Sequence, residues 1–91
     1  MTIYKLYTLD GILIEETDVY YLTPNFKNNF TGILEYVGVN NTWWINCELS
    51  RLDGPACEYV DGSVIWFIDG IECSKEEHNL LVDIKKLKGL I

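Results

Sequence analysis

The chain has 91 residues, 48% of them apolar, with three Trp, six Tyr and three Phe and a formal net charge of −7. That length makes one domain able to fold without staples, and that composition excludes a disordered chain. The acidic balance disfavours direct nucleic-acid binding and anionic membrane surfaces, and no apolar run approaches the ~18–20 residues of a membrane span.

Residues 3–9 alternate and are rich in β-formers. Asp10-Gly11 separates them from Ile12-Leu13-Ile14, and Asp-Gly between apolar runs predicts a hairpin with a two-residue turn. Val19-Tyr20-Tyr21-Leu22 is followed by Thr23-Pro24, which reads as the start of a short helical turn. Residues 25–29 are polar and turn-rich, with Phe26 as an anchor, and look like an insertion between hairpins. Residues 30–37 read as a strand, 38–41 as a turn and 42–47 as the return strand. Asp53-Gly54-Pro55 makes a corner; 56–60 is a strand, Asp61-Gly62 a two-residue turn, 63–68 the return, and Asp69-Gly70 one more turn.

The last segment changes character. Ser74-Lys75-Glu76-Glu77 is a capping box, and Leu80, Leu81, Ile84 and Leu87 follow at helical spacing. Lysines at 85, 86 and 88 suit a helix C-terminus and Gly89 a stop. A helix over 75–87 is predicted, with its leucines sealing the end of a β-stack.

The chain nearly repeats itself. Glu35-Tyr36-Val37 and Trp43-Trp44-Ile45-Asn46 recur 23 residues on as Glu58-Tyr59-Val60 and Trp66-Phe67-Ile68-Asp69, and Gly32 recurs as Gly54. A period near 23 fits two short strands with two turns. Arg51-Leu52-Asp53-Gly54-Pro55-Ala56, then Glu58-Tyr59, Asp61-Gly62-Ser63, Trp66 and Asp69-Gly70, resembles the DGPA variety of MORN-type repeats, whose pattern is R-x-D-G-P-A, a strand, D-G, a strand and W-Y-x-N-G. The unit at 51–73 matches well. The unit at 30–50 matches in part, with Thr31-Gly32 in place of Asp-Gly and Cys47 standing where Gly70 stands. Tyr7-Thr8-Leu9-Asp10-Gly11 looks like half of a further unit. The resemblance implies antiparallel hairpin stacks that mostly serve in protein assembly or lipid contact rather than catalysis, and similarity to short proteins of bacteriophages and large viruses.

The candidate protein-binding residues are Trp43, Trp44, Tyr36, Tyr59, Glu35 and Glu58. Adjacent on a strand, Trp43 and Trp44 point to opposite faces: one belongs to the core, the other packs under the N-terminal hairpin or stands exposed as a partner contact. Tyr36 and Tyr59 recur and are expected to stack along one face. Glu35, Glu48, Glu58, Asp61 and Glu72 form either a patch for a basic partner or the solvated face of the sheet. Cys47, Cys57 and Cys73 are odd in number and the N-terminus carries no signal-like run, which predicts a reducing, cytoplasmic location. With His78 they offer a zinc donor set, but no C-x-x-C knuckle exists, and His78 reads as a surface residue of the helix. No phosphate-binding loop and no nucleophile–base pair is visible, so no enzyme, no cofactor and no metal is expected.

The expected fold is mostly β, an antiparallel sheet of stacked hairpin repeats with a C-terminal capping helix, in one domain: an N-terminal hairpin and irregular segment (1–29), two hairpin repeats (30–73) and the helix (74–91). The expected function is a small acidic non-catalytic binding protein acting on a protein partner, as a phage accessory or anti-defence inhibitor. A structural homo-oligomer, such as a homodimer, is the alternative.

Overall fold

The computed structural model describes residues 3–18 and 29–90. The readings placed on 19–28, including the helical turn at Thr23-Pro24 and the Phe26 anchor, lie outside the described residues. The strands are β1 (Tyr4–Tyr7), β2 (Leu13–Thr17), β3 (Gly32–Tyr36), β4 (Asn40–Ile45), β5 (Glu48–Leu49), β6 (Cys57–Tyr59), β7 (Val64–Ile68) and β8 (Ile71–Cys73), followed by helix α1 (Lys75–Leu87). They form one eight-stranded antiparallel sheet in the order β2-β1-β3-β4-β6-β7-β8, with β5 pairing β4 off that path. The hairpins thus lie side by side, and the described residues are mostly β, with one helix at their C-terminal end.

The repeat is visible in the backbone. Asn46 and Cys47 (φ 50° and 63°) and, 23 residues on, Asp69 and Gly70 (φ 50° and 80°) make two-residue turns with both residues left-handed. These turns pair Ile45 with Glu48 and Ile68 with Ile71, the arrangement that matches the twist of a hairpin. Cys47 holds a conformation better suited to glycine because its neighbours pin it. Its N–H donates to the Phe30 carbonyl at 2.8 Å, and the Phe30 N–H donates to its Sγ at 3.0 Å.

The Asp-Gly hairpins are one residue longer than expected. Gly11 N–H donates to Thr8 O and Thr8 N–H to Ile12 O, both at 2.9 Å; Gly62 donates to Tyr59 O and Tyr59 to Ser63 O in the same way. Each loop has three residues with glycine last in the left-handed region (φ 90° and 91°). Only the glycine needs positive φ in this turn, so the aspartate keeps an ordinary conformation. These turns contract the predicted strands 3–9 to β1 and 56–60 to β6; a turn at 37–39 contracts 30–37 to β3, and the strand expected over 42–47 instead begins at Asn40 and ends at Ile45, where Asn46 and Cys47 turn the chain.

The sheet has a core on each face, at opposite ends. Register sets Leu6 opposite Leu34 and Leu34 opposite Thr42. Leu6, Leu34 and Phe30 are buried there, with Tyr4, Trp44 and Cys47 packed against them. Residues one position along each strand point the other way. On that second face, towards β7, Ser50, Ala56, Ile68, His78 and Val82 are buried where α1 packs on β7 and β8.

The helix begins and ends as its sequence requires. Ser74 Oγ accepts from the Glu77 N–H at 3.1 Å, and Glu77 Oε1 accepts from the Ser74 N–H at 2.9 Å. At the far end Gly89 (φ 71°) donates to Lys86 O and Leu90 to Lys85 O, satisfying the last carbonyls. Its orientation, however, is opposite to the expected one. The buried residues of α1 are His78 and Val82, while Leu80, Leu81, Ile84 and Leu87 are exposed. His78, expected at the surface, is 1% exposed.

Candidate functional site

Two rows of residues run across β3, β4 and β6. One row is Glu35, Asn41 and Glu58; the next is Tyr36, Asn40 and Tyr59. Alternate strands lie about 9–10 Å apart, and asparagine is much shorter than tyrosine. Tyr36 and Tyr59 therefore do not stack on each other, as the recurrence had suggested. They flank Asn40 as two walls of a cleft of about 220 Å³, lined by Glu35, Tyr36, Asn40, Asn41, Glu58, Tyr59 and Val60. The ring that Tyr36 does meet is Tyr4, with centroids 4.7 Å apart.

The carboxylates are held from behind. Tyr7 Oη donates to Glu35 Oε1 at 2.7 Å; this hydrogen bond, then burial, then the negative charges of Glu35 and Glu16 push the Tyr7 phenol up to about 12. Glu58 Oε2 lies 3.3 Å from Arg51 Nη1. The two rows alternate in facing, so Glu35, Asn41 and Glu58 project with Tyr7 and Arg51 on the Trp43 face, and the cleft on the other face offers two aromatic rings and the Asn40 amide, a set suited to an ammonium or guanidinium.

Of the six expected site residues, Tyr36 and Tyr59 share the cleft face, Glu35 and Glu58 lie on the face of Trp43, and Trp43 and Trp44 are outside the cleft. Trp44 packs in the first core, its indole N–H donating to Thr42 Oγ1 at 2.8 Å. Trp43 points to the opposite face, where the Arg51 guanidinium lies 3.9 Å from its ring centroid. Both indoles are half-buried. Of the expected acidic residues, Glu72 is paired with Phe67 on β8 and Asp61 accepts from Ser63 in a turn, so the five acids do not form one stripe.

Sequence reasoning missed the arginine. Arg51 Nε donates to Asp53 Oδ1 at 2.9 Å and Nη1 to the Pro55 carbonyl at 3.2 Å, so the R-x-D-G-P stretch is a self-bracing corner with its cation over Trp43. The hydrogen bond from Arg51 holds the Asp53 carboxyl below the usual range. Only the fixed spacing of the motif hinted at this. His78 was missed for a different reason: a lone histidine on a helix has no distinguishing signal. Its ring packs against Trp66, tilted by 59° with centroids 4.8 Å apart, and Nε2 donates to the Arg51 carbonyl at 2.5 Å. A larger cavity of about 480 Å³ lies beside it, between the corner at Leu52 to Gly54 and the helix.

The three cysteines are free thiols, and burial pushes the Cys57 and Cys73 thiols up. Among the described residues, no three His, Cys, Asp or Glu side chains gather as metal ligands, so Cys47, Cys57, Cys73 and His78 do not form a shared site. No helix among them is long and apolar enough to cross a membrane. Comparison with protein-family models, with curated proteins and with solved structures finds no match to this chain.

Proposed function

We propose that the protein is a non-catalytic binding protein that contacts another protein through the face carrying Tyr36 and Tyr59, and that the cleft between them receives a lysine or arginine side chain of a basic partner. The observation that carries this reading is the placing of two tyrosine rings on either side of the short Asn40 on one face of the sheet. A cation over a tyrosine face gains about 0.5–2 kcal/mol. The net charge of −7 supports capture of a basic surface by long-range attraction. The mechanism is steric: occupation of a basic surface blocks its normal ligand. Three free thiols support action in a reducing cytoplasm. The likeness to DGPA-type repeats supports a role as a phage accessory or anti-defence inhibitor, with no cofactor.

The test is a pull-down from bacterial lysate at low salt. Wild-type protein recovers a macromolecular partner that elutes as salt is raised, and Tyr36→Ala/Tyr59→Ala, still folded by circular dichroism, does not. Recovery of nothing by the wild type, or equal recovery by the double variant, overturns the reading.

A further inference from the structure

Helix α1 carries its apolar stripe on the side away from the sheet. His78 and Val82 face the protein, whereas Leu80 is 61% exposed, Leu87 87%, and Leu81 and Ile84 37% each. At 100° per residue these four fall on one side of the helix, and His78 and Val82 lie on the other. With Leu90 just past the cap, also exposed, the stripe presents roughly 500 Å² of apolar side chain, as much as the largest patch on an ordinary monomer.

The charges around the stripe indicate its occupant. Glu77 and Lys88 continue the line of Leu81 and Ile84, at spacings of four, three and four residues. The helix is acidic in its first turn, at Glu76 and Glu77, and basic in its last, at Lys85 and Lys86. A second copy laid antiparallel, with Leu81 of each against Ile84 of the other, brings Glu77 of each copy beside Lys88 of the other. It also opposes the two helix dipoles favourably. The same residues serve both copies, as a two-fold axis demands. Elsewhere like copies repel: residues 1–72 carry eleven acids and three bases, whereas 73–91 carry three acids and four bases. The helix is where two acidic bodies approach at least cost. Burial of both stripes removes roughly 1,000 Å² in all, the least a specific interface requires.

We infer that α1 is a dimerisation helix, and that the protein pairs with a second copy of itself through an antiparallel Glu77–Leu81–Ile84–Lys88 seam. This stands independently of the cleft, which lies on β3, β4 and β6. Light scattering after size exclusion, at protein concentrations from 5 to about 200 μM, tests it. The wild type runs at twice its 10.5 kDa mass at the upper end. Ile84→Glu, which puts a carboxylate into the seam without touching the buried side of the helix, raises the dissociation constant at least 100-fold while leaving the circular dichroism spectrum unchanged. Lys88→Glu, which sets like charges together at both ends, raises it about 5- to 10-fold. A wild type that stays monomeric at 200 μM overturns the proposal and leaves the stripe to a foreign partner. A dimer that survives Ile84→Glu overturns it in favour of another surface, and one indifferent to Lys88→Glu overturns the antiparallel register.

Discussion

Arg51 and His78 are joined by a hydrogen bond from the imidazole Nε2 to the arginine's own carbonyl oxygen, and each side chain covers a tryptophan of the repeat. Arg51 lies over Trp43 and His78 against Trp66, 23 residues on. The bond fastens the helix to the corner between the two hairpin units, 27 residues back along the chain. A carbonyl accepts, so Nε2 carries the proton and the imidazole is held in one tautomer.

Replacement of His78 by alanine loosens the helix from the sheet. It empties a fully buried site and strands the Arg51 carbonyl, at a cost of about 2–4 kcal/mol. His78→Phe restores the ring but not the bond and recovers only part of this. Urea unfolding measures both; equal stability of His78→Phe and wild type would show that the hydrogen bond contributes nothing.

Arg51→Ala removes the cation over Trp43 and the brace to the Pro55 carbonyl. The exposed Asp53 adds little to that sum because its ion pair is screened. The expected loss is about 2 kcal/mol, or roughly 8–16 °C in Tm. Lysine does not substitute, having no planar fork to serve Asp53, Pro55 and Glu58 together. Calorimetry of Arg51→Ala and Arg51→Lys checks this, and full recovery by lysine contradicts it.

Gly32→Ala is expected to prevent folding or cost more than about 3 kcal/mol. Gly32 has φ 154° at the point where β3 meets β1, and a β-carbon there runs into the Tyr7 carbonyl oxygen and the Phe30 ring. Backbone cannot retreat as a side-chain tip can. Gly62→Ala is the control. It meets nothing within 4 Å and bears only the conformational cost of φ 91°, about 1–2 kcal/mol. Similar losses for the two variants would refute the steric account.

Tyr7 is expected to titrate well above the ordinary phenol range. Its phenol is pushed from 10.0 up to about 12 by the hydrogen bond to Glu35, so the folded protein holds that proton more tightly than the unfolded chain. The stabilisation is therefore complete below pH 10 and is lost as pH rises from 10 towards 12. Ultraviolet titration of the wild type shows a late phenol that is absent from Tyr7→Phe and moves to lower pH in Glu35→Gln; an unchanged late phenol in Glu35→Gln sinks the assignment.

Acid acts through groups of the opposite sign. Asp53 is held low by Arg51 and Glu77 by the Ser74 cap. Both contribute stability above the ordinary carboxylate range and lose it as pH falls through their lowered values. Ser74→Ala flattens the acid limb of the stability curve, which acid titration of the helical circular dichroism signal measures.

Much of the architecture was legible in residues whose meaning is local. Asp69-Gly70 marks a turn because few residues tolerate left-handed backbone, whereas Asn46-Cys47, read as the end of a strand, makes the same turn without a glycine to announce it. Ser74 with Glu77 fixes a helix start, and Gly89 its stop. The 23-residue recurrence gave two units of alternating strands. Turn length was less legible, because Asp-Gly serves both two- and three-residue hairpins and the choice depends on the strands it joins. Of the candidate site, the tyrosine and glutamate pairs were found by recurrence. That Asn40 separates the tyrosines and Asn41 the glutamates was not, since recurrence says nothing of which residue of β4 comes between them.

The sequence by itself determined the hairpins, their period, the helix and its caps, because these rest on backbone conformation and on neighbours three or four residues away. Tertiary structure alone decided which side of each element is buried. Leu80, Leu81, Ile84 and Leu87 form as clear an apolar stripe as any, yet α1 turns His78 and Val82 to the sheet. The ring of Trp66 and the Arg51 carbonyl together suit an imidazole, which can stack and donate at once; a leucine can do only the first.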